Sequence, residues 1–227
     1  MELDEVTQNY DRASEYYDWL TDIVFGNILG LEKLRHHTID LLGDVDGATV
    51  LDLGCGTGRN FPFLAKKVGE QGRIIAVDYS AGMLKKAEER IRSNGWKNIE
   101  LIRTDAATLE HVSAPIDAVV AVWVLGIVYD LDAAIDRSMS LIRPGGKISI
   151  MDFGKSRPER GPLRWLSPVY SRILRWAGID SATDLDNAKL VAKWARGKET
   201  LQERVDCLRE EHYLNGAGLI LSGHKPC

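Results

Sequence analysis

The chain has 227 residues, with 29 Lys and Arg against 33 Asp and Glu, a formal net charge of −4 and a sequence pI near 5.8. A general nucleic-acid binder, which needs a cationic surplus to neutralise phosphates, is not expected from that balance. A 44% hydrophobic and 27% charged composition is that of a soluble globular protein, and the length supports one domain (1–227) with a core that needs no disulfide or metal staple.

Residues 1–47 read as a mostly helical N-terminal lid, with Tyr10, Tyr16, Tyr17, Trp19, Leu20, Ile23 and Phe25 supplying apolar surface. The first residues are acidic and lack the pattern of a signal peptide, so a cytoplasmic location is expected. Thr49–Leu53 is a short apolar run that enters the glycine-rich turn Gly54-Cys55-Gly56-Thr57-Gly58. Arg73–Asp78 is a second strand, and Ala81–Ser93 follows with Met83, Leu84, Ala87 and Ile91 at helical spacing. A weaker strand lies at Ile99–Arg103, and Ala118–Val124 forms a near-continuous apolar run. Runs of this kind, bounded by turn residues, suit strands of a parallel sheet buried on both faces. Leu131–Ile142 repeats the helical period before Pro144-Gly145-Gly146 stops it, and Lys147–Phe153 is the next strand. Strands alternating with helices predict a doubly wound, Rossmann-like α/β sheet of seven mostly parallel strands, with 48–153 as its cofactor-binding core. Near the end, Asn215-Gly216 between two strand-like runs predicts an antiparallel hairpin within 206–227. The longest apolar run, Ala118 to Tyr129, holds twelve residues, against the roughly 20 that a membrane span takes.

The chemistry concentrates where the first strand meets the glycine turn. Glycines there permit a tight turn and close backbone approach to a ligand at the carboxyl end of the strand. Asp78 ends the second strand, where an acidic side chain can accept hydrogen bonds from ribose hydroxyls. Asp105 follows the third strand. Arg59 occupies the place of the third glycine in a dinucleotide fingerprint, which weighs against an NAD-binding domain. Cys55, Cys207 and Cys227 are scattered, with no CxxC pair and no metal-ligand spacing, so neither a metal nor a disulfide framework is expected.

The segments Asp52-Leu53-Gly54-Cys55-Gly56-Thr57-Gly58, Asp78-Tyr79-Ser80-Ala81-Gly82-Met83-Leu84, Asp105-Ala106 and Arg143-Pro144-Gly145-Gly146 resemble the ordered motifs of class I S-adenosylmethionine-dependent methyltransferases. The resemblance implies S-adenosyl-L-methionine as cofactor and S-adenosyl-L-homocysteine as product. It implies a cofactor site made of Asp52, Gly54, Cys55, Gly56, Gly58, Asp78, Tyr79, Met83, Asp105 and Ala106, with Tyr10 and Tyr17 closing over it. The glycine loop would face the methionine part, Asp78 the ribose, Met83 the adenine, and Asp105 with Ala106 the adenine edge. Tyr10-Asp11-Arg12-Ala13-Ser14-Glu15-Tyr16-Tyr17-Asp18 is similar to the aromatic-Asp segment of quinone C-methyltransferases and bacterial phospholipid N-methyltransferases.

A sulfonium is already an activated methyl donor, so the protein's task is alignment and exclusion of water. Tyr17, Trp123 and Tyr129 are the expected positioning residues, because aromatic faces favour a cationic group. His111, Asp152 and Tyr17 are candidates for moving a proton, and Cys55 reads as a small filler. Ten Lys and Arg between Lys155 and Lys198 against four acids give that stretch a surplus of six positive charges, together with Trp165, Trp176 and Trp194. Ser167-Pro168 predicts the start of a helix ending at Gly178. A basic helix bearing tryptophan can rest on an anionic inner-membrane surface, or form a lid packed on the sheet. The expected acceptor is therefore an amphipathic lipid-like molecule: a phospholipid amino headgroup such as phosphatidylethanolamine, with C-methylation of a demethylated menaquinone or ubiquinone precursor, or of another small molecule, as alternatives. A cofactor-binding regulatory protein without chemistry is the non-enzymatic alternative.

Overall fold

The computed structural model describes residues 30–155 and 187–227. Seven strands form one sheet in the order β3-β2-β1-β4-β5-β7-β6. They are β1 (Thr49–Leu53), β2 (Arg73–Asp78), β3 (Ile99–Arg103), β4 (Ile116–Val122), β5 (Ile142–Phe153), β6 (Asp206–Tyr213) and β7 (Gly218–His224). The first five pair in parallel, whereas β7 runs antiparallel to both β5 and β6. Five α-helices accompany them among the described residues: α1 (Leu31–Asp40), α2 (Phe61–Val68), α3 (Ala81–Asn94), α4 (Leu131–Leu141) and α5 (Asn187–Arg204).

The near-continuous apolar runs are explained by burial on both faces. Val50, Ile74, Ala76, Ala118 and Val120 pack toward α1 and α2, in a core with Leu31, Ile39, Phe61 and Leu64. Their neighbours Leu51, Ile75, Val77, Val119 and Ala121 pack on the other side with Ile135 and Met139 of α4 and Trp194 of α5. Helix starts follow their local chemistry. Ser80 caps α3 by accepting from the Met83 N–H at 3.1 Å, and Asp130 caps α4 by accepting from the Ala133 N–H at 2.9 Å. α1 is docked on the sheet by Ser149, which donates to the Thr38 carbonyl at 2.8 Å.

Both ends of β4 and the start of β5 differ from the sequence expectation, β4 beginning at Ile116 rather than Ala118. β4 ends at Val122 rather than Val124, because Trp123 adopts a left-handed φ of 57° and turns the chain out of the sheet. β5 begins at Ile142, directly after α4: Ile142 pairs with Ile116, the register then shifts, and Lys147 pairs with Ala118. The Asn-Gly segment does join β6 to β7, through a 3-10 turn at Leu214–Gly216. The helix expected from Pro168 to Gly178 lies outside the described residues. Among the described residues, no helix is long and apolar enough to cross a membrane.

The topology fixes where a ligand can enter. Strand order reverses between β1 and β4, since β1 leads outward to β2 and β3 while β4 leads to β5. The crevice outside the carboxyl ends of these two strands is the place where open α/β sheets bind ligands.

Candidate active site

A cavity of about 330 Å³ opens at that crevice. One half is built from the loops after β1, β2 and β3, and contains Gly54, Gly56, Asp78, Met83, Asp105 and Ala106 in its wall. The other half comes from the end of β4 and the first two turns of α5, with Trp123, Val124, Ile127, Tyr129, Leu190 and Lys193.

The glycine loop is shaped by what surrounds it. A Cβ on Gly54 would collide with the Val124 side chain, so glycine is the residue that lets β1 and β4 release their chains side by side. Gly56 has φ of 54° and nothing within 4 Å of a Cβ placed on it, so a side chain there would project into the open cavity. Asp78 ties the loop down. Its Oδ2 accepts from the Gly56 N–H and its Oδ1 from the Ser80 N–H, each at 2.9 Å. The Cys55 N–H donates to the Val77 carbonyl at 2.8 Å, and the thiol is buried beneath the loop. Burial pushes the Cys55 thiol well above its ordinary value, with Asp78 and Asp52 adding to the effect, so it stays protonated.

Asp52 does not line the cavity. The alternation along β1 puts it on the side of Val50, fully buried below the loop. Its Oδ1 accepts from Asn60 Nδ2 at 2.7 Å, and Asn60 Oδ1 accepts from Arg35 at 2.5 Å. Burial raises the Asp52 carboxyl to about 7, against the lowering effect of Asn60 and Arg35, while the nearby Asp78 raises it further. Arg35, only 4% exposed, also lies 4.8 Å from the centroid of the Trp123 ring. A buried Asp–Asn–Arg–Trp line therefore runs from β1 to α1 and on to the end of β4. Arg35 and Asn60 both reach the cavity wall, and neither was among the sequence candidates. No periodicity marks them: Arg35 lies in a helix that reads as apolar decoration, and Asn60 just beyond the glycines.

The other candidates separate clearly. Tyr79, Met83, Asp105 and Ala106 line the cavity, and Arg103 lies over the Tyr79 ring at 5.6 Å. Trp123 is stacked on Phe153, and its indole N–H donates to the Tyr213 hydroxyl at 3.1 Å. Tyr129 stands at the mouth, 80% exposed. Gly58 accommodates the Phe61 ring against its backbone and is absent from the cavity wall. His111 is exposed on a loop away from the cavity. Asp152 sits behind the wall rather than in it, buried at the end of β5. Tyr10 and Tyr17 lie outside the described residues. Among the described residues, no group of three or more His, Cys, Asp or Glu is arranged to hold a metal ion.

The chain is 29% identical over 228 residues to the ubiquinone/menaquinone biosynthesis C-methyltransferase UbiE of Vibrio cholerae, covering 97% of this chain and 86% of that one. It is 30% identical over 233 residues to the demethylmenaquinone methyltransferase of Desulfitobacterium hafniense, covering 97% and 90%. Its fold resembles that of a SAM-dependent methyltransferase from Aquifex aeolicus, with a TM-score of 0.59 at 19% identity over 84% of this chain and 89% of that one. A candidate S-adenosyl-L-methionine-dependent methyltransferase from Methanococcus maripaludis matches with a TM-score of 0.66 at 17% identity, over 96% and 94%. The residues present fit that cofactor, because an open glycine cradle at Gly56 and two carboxylates, Asp78 and Asp105, share one cavity wall. The model of the ubiE/COQ5 methyltransferase family matches residues 1–211, so the chain belongs to that family and is an S-adenosylmethionine-dependent methyltransferase.

Proposed function

We propose that the chain methylates a ring carbon of a demethylated menaquinone or ubiquinone precursor. The observation that carries this reading is the make-up of the acceptor half of the cavity. Its described wall is apolar at Val124, Ile127, Val128 and Leu190, is faced by Trp123, and carries two lysines, Lys189 and Lys193. The carboxylates of the described wall, Asp78 and Asp105, both belong to the other half. A flat apolar ring bearing hydroxyl oxygens suits this surface. An amino headgroup suits it less, because lysines repel an ammonium and the carboxylates of the described wall lie on the other half. The phospholipid headgroup expected from the sequence therefore gives way to the quinone alternative, which the names of the Vibrio and Desulfitobacterium relatives also favour.

In this reading Gly54, Cys55 and Gly56 border the methionine part of the cofactor, and Asp78 accepts from the ribose hydroxyls. Tyr79 and Met83 flank the adenine, with Asp105 and Ala106 along its edge. Asp52 acts through Asn60 and Arg35 rather than by contact. When bound, S-adenosylmethionine supplies an activated methyl group. The chain aligns the ring carbon with that methyl against Trp123, excludes water with Val124, Ile127 and Leu190, and favours electron density on the ring oxygen through Lys189.

The test is product analysis with methyl-labelled cofactor. A polyprenyl naphthoquinol lacking the ring methyl and phosphatidylethanolamine vesicles are offered in parallel to the full chain. Label on a ring carbon of the quinol is the expected result. Label on the headgroup nitrogen, or an unlabelled quinol, overturns the reading.

A further inference from the structure

The acceptor half of the cavity owes its shape to the segment Gly126–Tyr129 between β4 and α4. This segment contributes Ile127, Val128 and Tyr129 to the wall. Packing anchors it only in part: Val128 rests on the core, but Ile127 is 40% and Tyr129 80% exposed. A turn in which the Val124 carbonyl accepts from the N–H groups of Ile127 and Val128 gives it local form, but a lone turn in water is only marginally ordered.

The Gly126 residue is gripped through both its polar groups. From the sheet, Asp152 Oδ2 accepts from the Gly126 N–H at 2.9 Å, while Oδ1 accepts from the Phe153 N–H at 2.7 Å. From α5, Lys193 donates to the Gly126 carbonyl at 2.8 Å and to the carbonyl of Val128. Both charged residues sit on rigid supports. Asp152 belongs to a strand paired with β7 opposite Leu219, and Lys193 lies on a helix whose Leu190, Trp194 and Leu201 are buried in the core. A Cβ on Gly126 would lie 2.9 Å from Asp152 Oδ1, so glycine is required for the approach. Bonds between charged groups and backbone amides are about twice as strong as neutral ones, enough to fix a loop that packing fastens only at Val128.

We propose that Asp152 and Lys193 form a two-sided clamp on Gly126 that positions the acceptor-binding loop, making them positioning residues for acceptor recognition rather than for cofactor binding. This rests on the quinone reading only for the identity of the acceptor. The geometry separates the two substrates, because the cofactor half of the wall is held by Asp78 and the glycine loop, which the clamp does not touch.

The experiment compares Lys193→Met, Lys193→Arg and Gly126→Ala with the wild type in the full chain. Acceptor KM and kcat are measured with the naphthoquinol, and the Kd for S-adenosylhomocysteine by calorimetry. Losing a charge-assisted bond in Lys193→Met is expected to raise acceptor KM about tenfold or more. The Kd stays within about twofold, as expected for a distant, independent site, and Lys193→Arg recovers most of the loss. Gly126→Ala, which strains the same clamp from inside the loop, shows the same split. Parallel changes in KM and Kd, or an unchanged KM, overturn the proposal. Hydrogen exchange provides a readout that needs no substrate. In Lys193→Met, the amides of 126–129 lose protection while those of 54–60 keep theirs. If the wild type leaves the naphthoquinol unmethylated, the acceptor identity falls. The clamp is then judged on exchange alone, and unchanged protection at 126–129 sinks it.

Discussion

Asp52 holds a carboxyl group completely removed from water, with one oxygen bonded to Asn60 and the other, Oδ2, without a hydrogen-bond partner among the described residues. Burial opposes ionisation and raises the group to about 7 from its ordinary 3.8, despite Asn60 and Arg35. The sign of the consequence is definite. Between those two values the folded chain keeps a proton that the unfolded chain has released, so Asp52 lowers stability as pH rises through the window, with the loss complete above it. Asp152, raised by burial to about 6 against the pull of Gly126, Phe153 and Lys193, adds a smaller contribution of the same sign. Thermal melts of the cofactor-free chain between about pH 5 and pH 8 are expected to show a Tm that declines more steeply in the wild type than in Asp52→Asn. The difference isolates Asp52, because both chains retain Asp152. At about 2–4 °C per kcal/mol for a chain of this size the effect is measurable. Parallel melting curves would contradict the assignment.

At the scale of elements, one side chain joins the antiparallel edge of the sheet to the acceptor side of the site. The Tyr213 hydroxyl at the end of β6 accepts from Trp123 Nε1 at 3.1 Å and donates to the Asp152 carbonyl at 3.0 Å. Trp123 is in a left-handed conformation that costs a bulky residue about 1–3 kcal/mol, so its ring must be held from several sides. Phe153 stacks on it and Arg35 lies over it. Tyr213→Phe removes one of those supports with little change in volume. It is expected to cost about 1 kcal/mol, and to impair acceptor turnover more than cofactor affinity. An unchanged Tm and unchanged turnover would show that the aromatic packing alone fixes Trp123. This junction also marks how far the sequence could be read. The alternation of β-branched runs with amphipathic helices identifies the sheet, because burial on both faces leaves its imprint on β1, β2, β4 and the second half of β5, whereas the edge strand β3 has no buried residue and reads more weakly. The glycine turn and Asp78 are legible because a tight turn and a strand-end acid are local features. Trp123's turn, Arg35's reach to Asn60 and the grip of Lys193 on Gly126 depend on partners 25 to 90 positions away. Residue types alone do not disclose such pairings. The same holds for Asp52: a strand motif places it near the cofactor loop, but only the pleat of β1 turns it under that loop.

For the whole molecule, the cofactor pocket and the sheet form one thermodynamic unit. The loop that lines the pocket is fastened to β2 through Asp78, and its Cys55 N–H to the Val77 carbonyl. Ligand bound to the folded chain alone stabilises all of it by mass action. S-adenosylhomocysteine at about 100 times its Kd contributes about 2.7 kcal/mol, which for this length raises Tm by about 5–10 °C. Asp78→Ala strips the loop of the acceptor for the Gly56 N–H, so its own unliganded Tm falls, and on the proposed reading it also removes the ribose partner. If its affinity is tenfold weaker, the same ligand concentration returns only about 1.4 kcal/mol, and the ligand-induced rise is halved. The two effects are read separately, as the unliganded melting temperature and the increment on adding ligand. A lowered unliganded Tm with an undiminished increment would assign Asp78 to the loop alone and remove it from the ribose. A diminished increment that the Lys193→Met chain does not share would place cofactor capture on the β1–β2 side of the crevice, independent of the clamp on the acceptor loop.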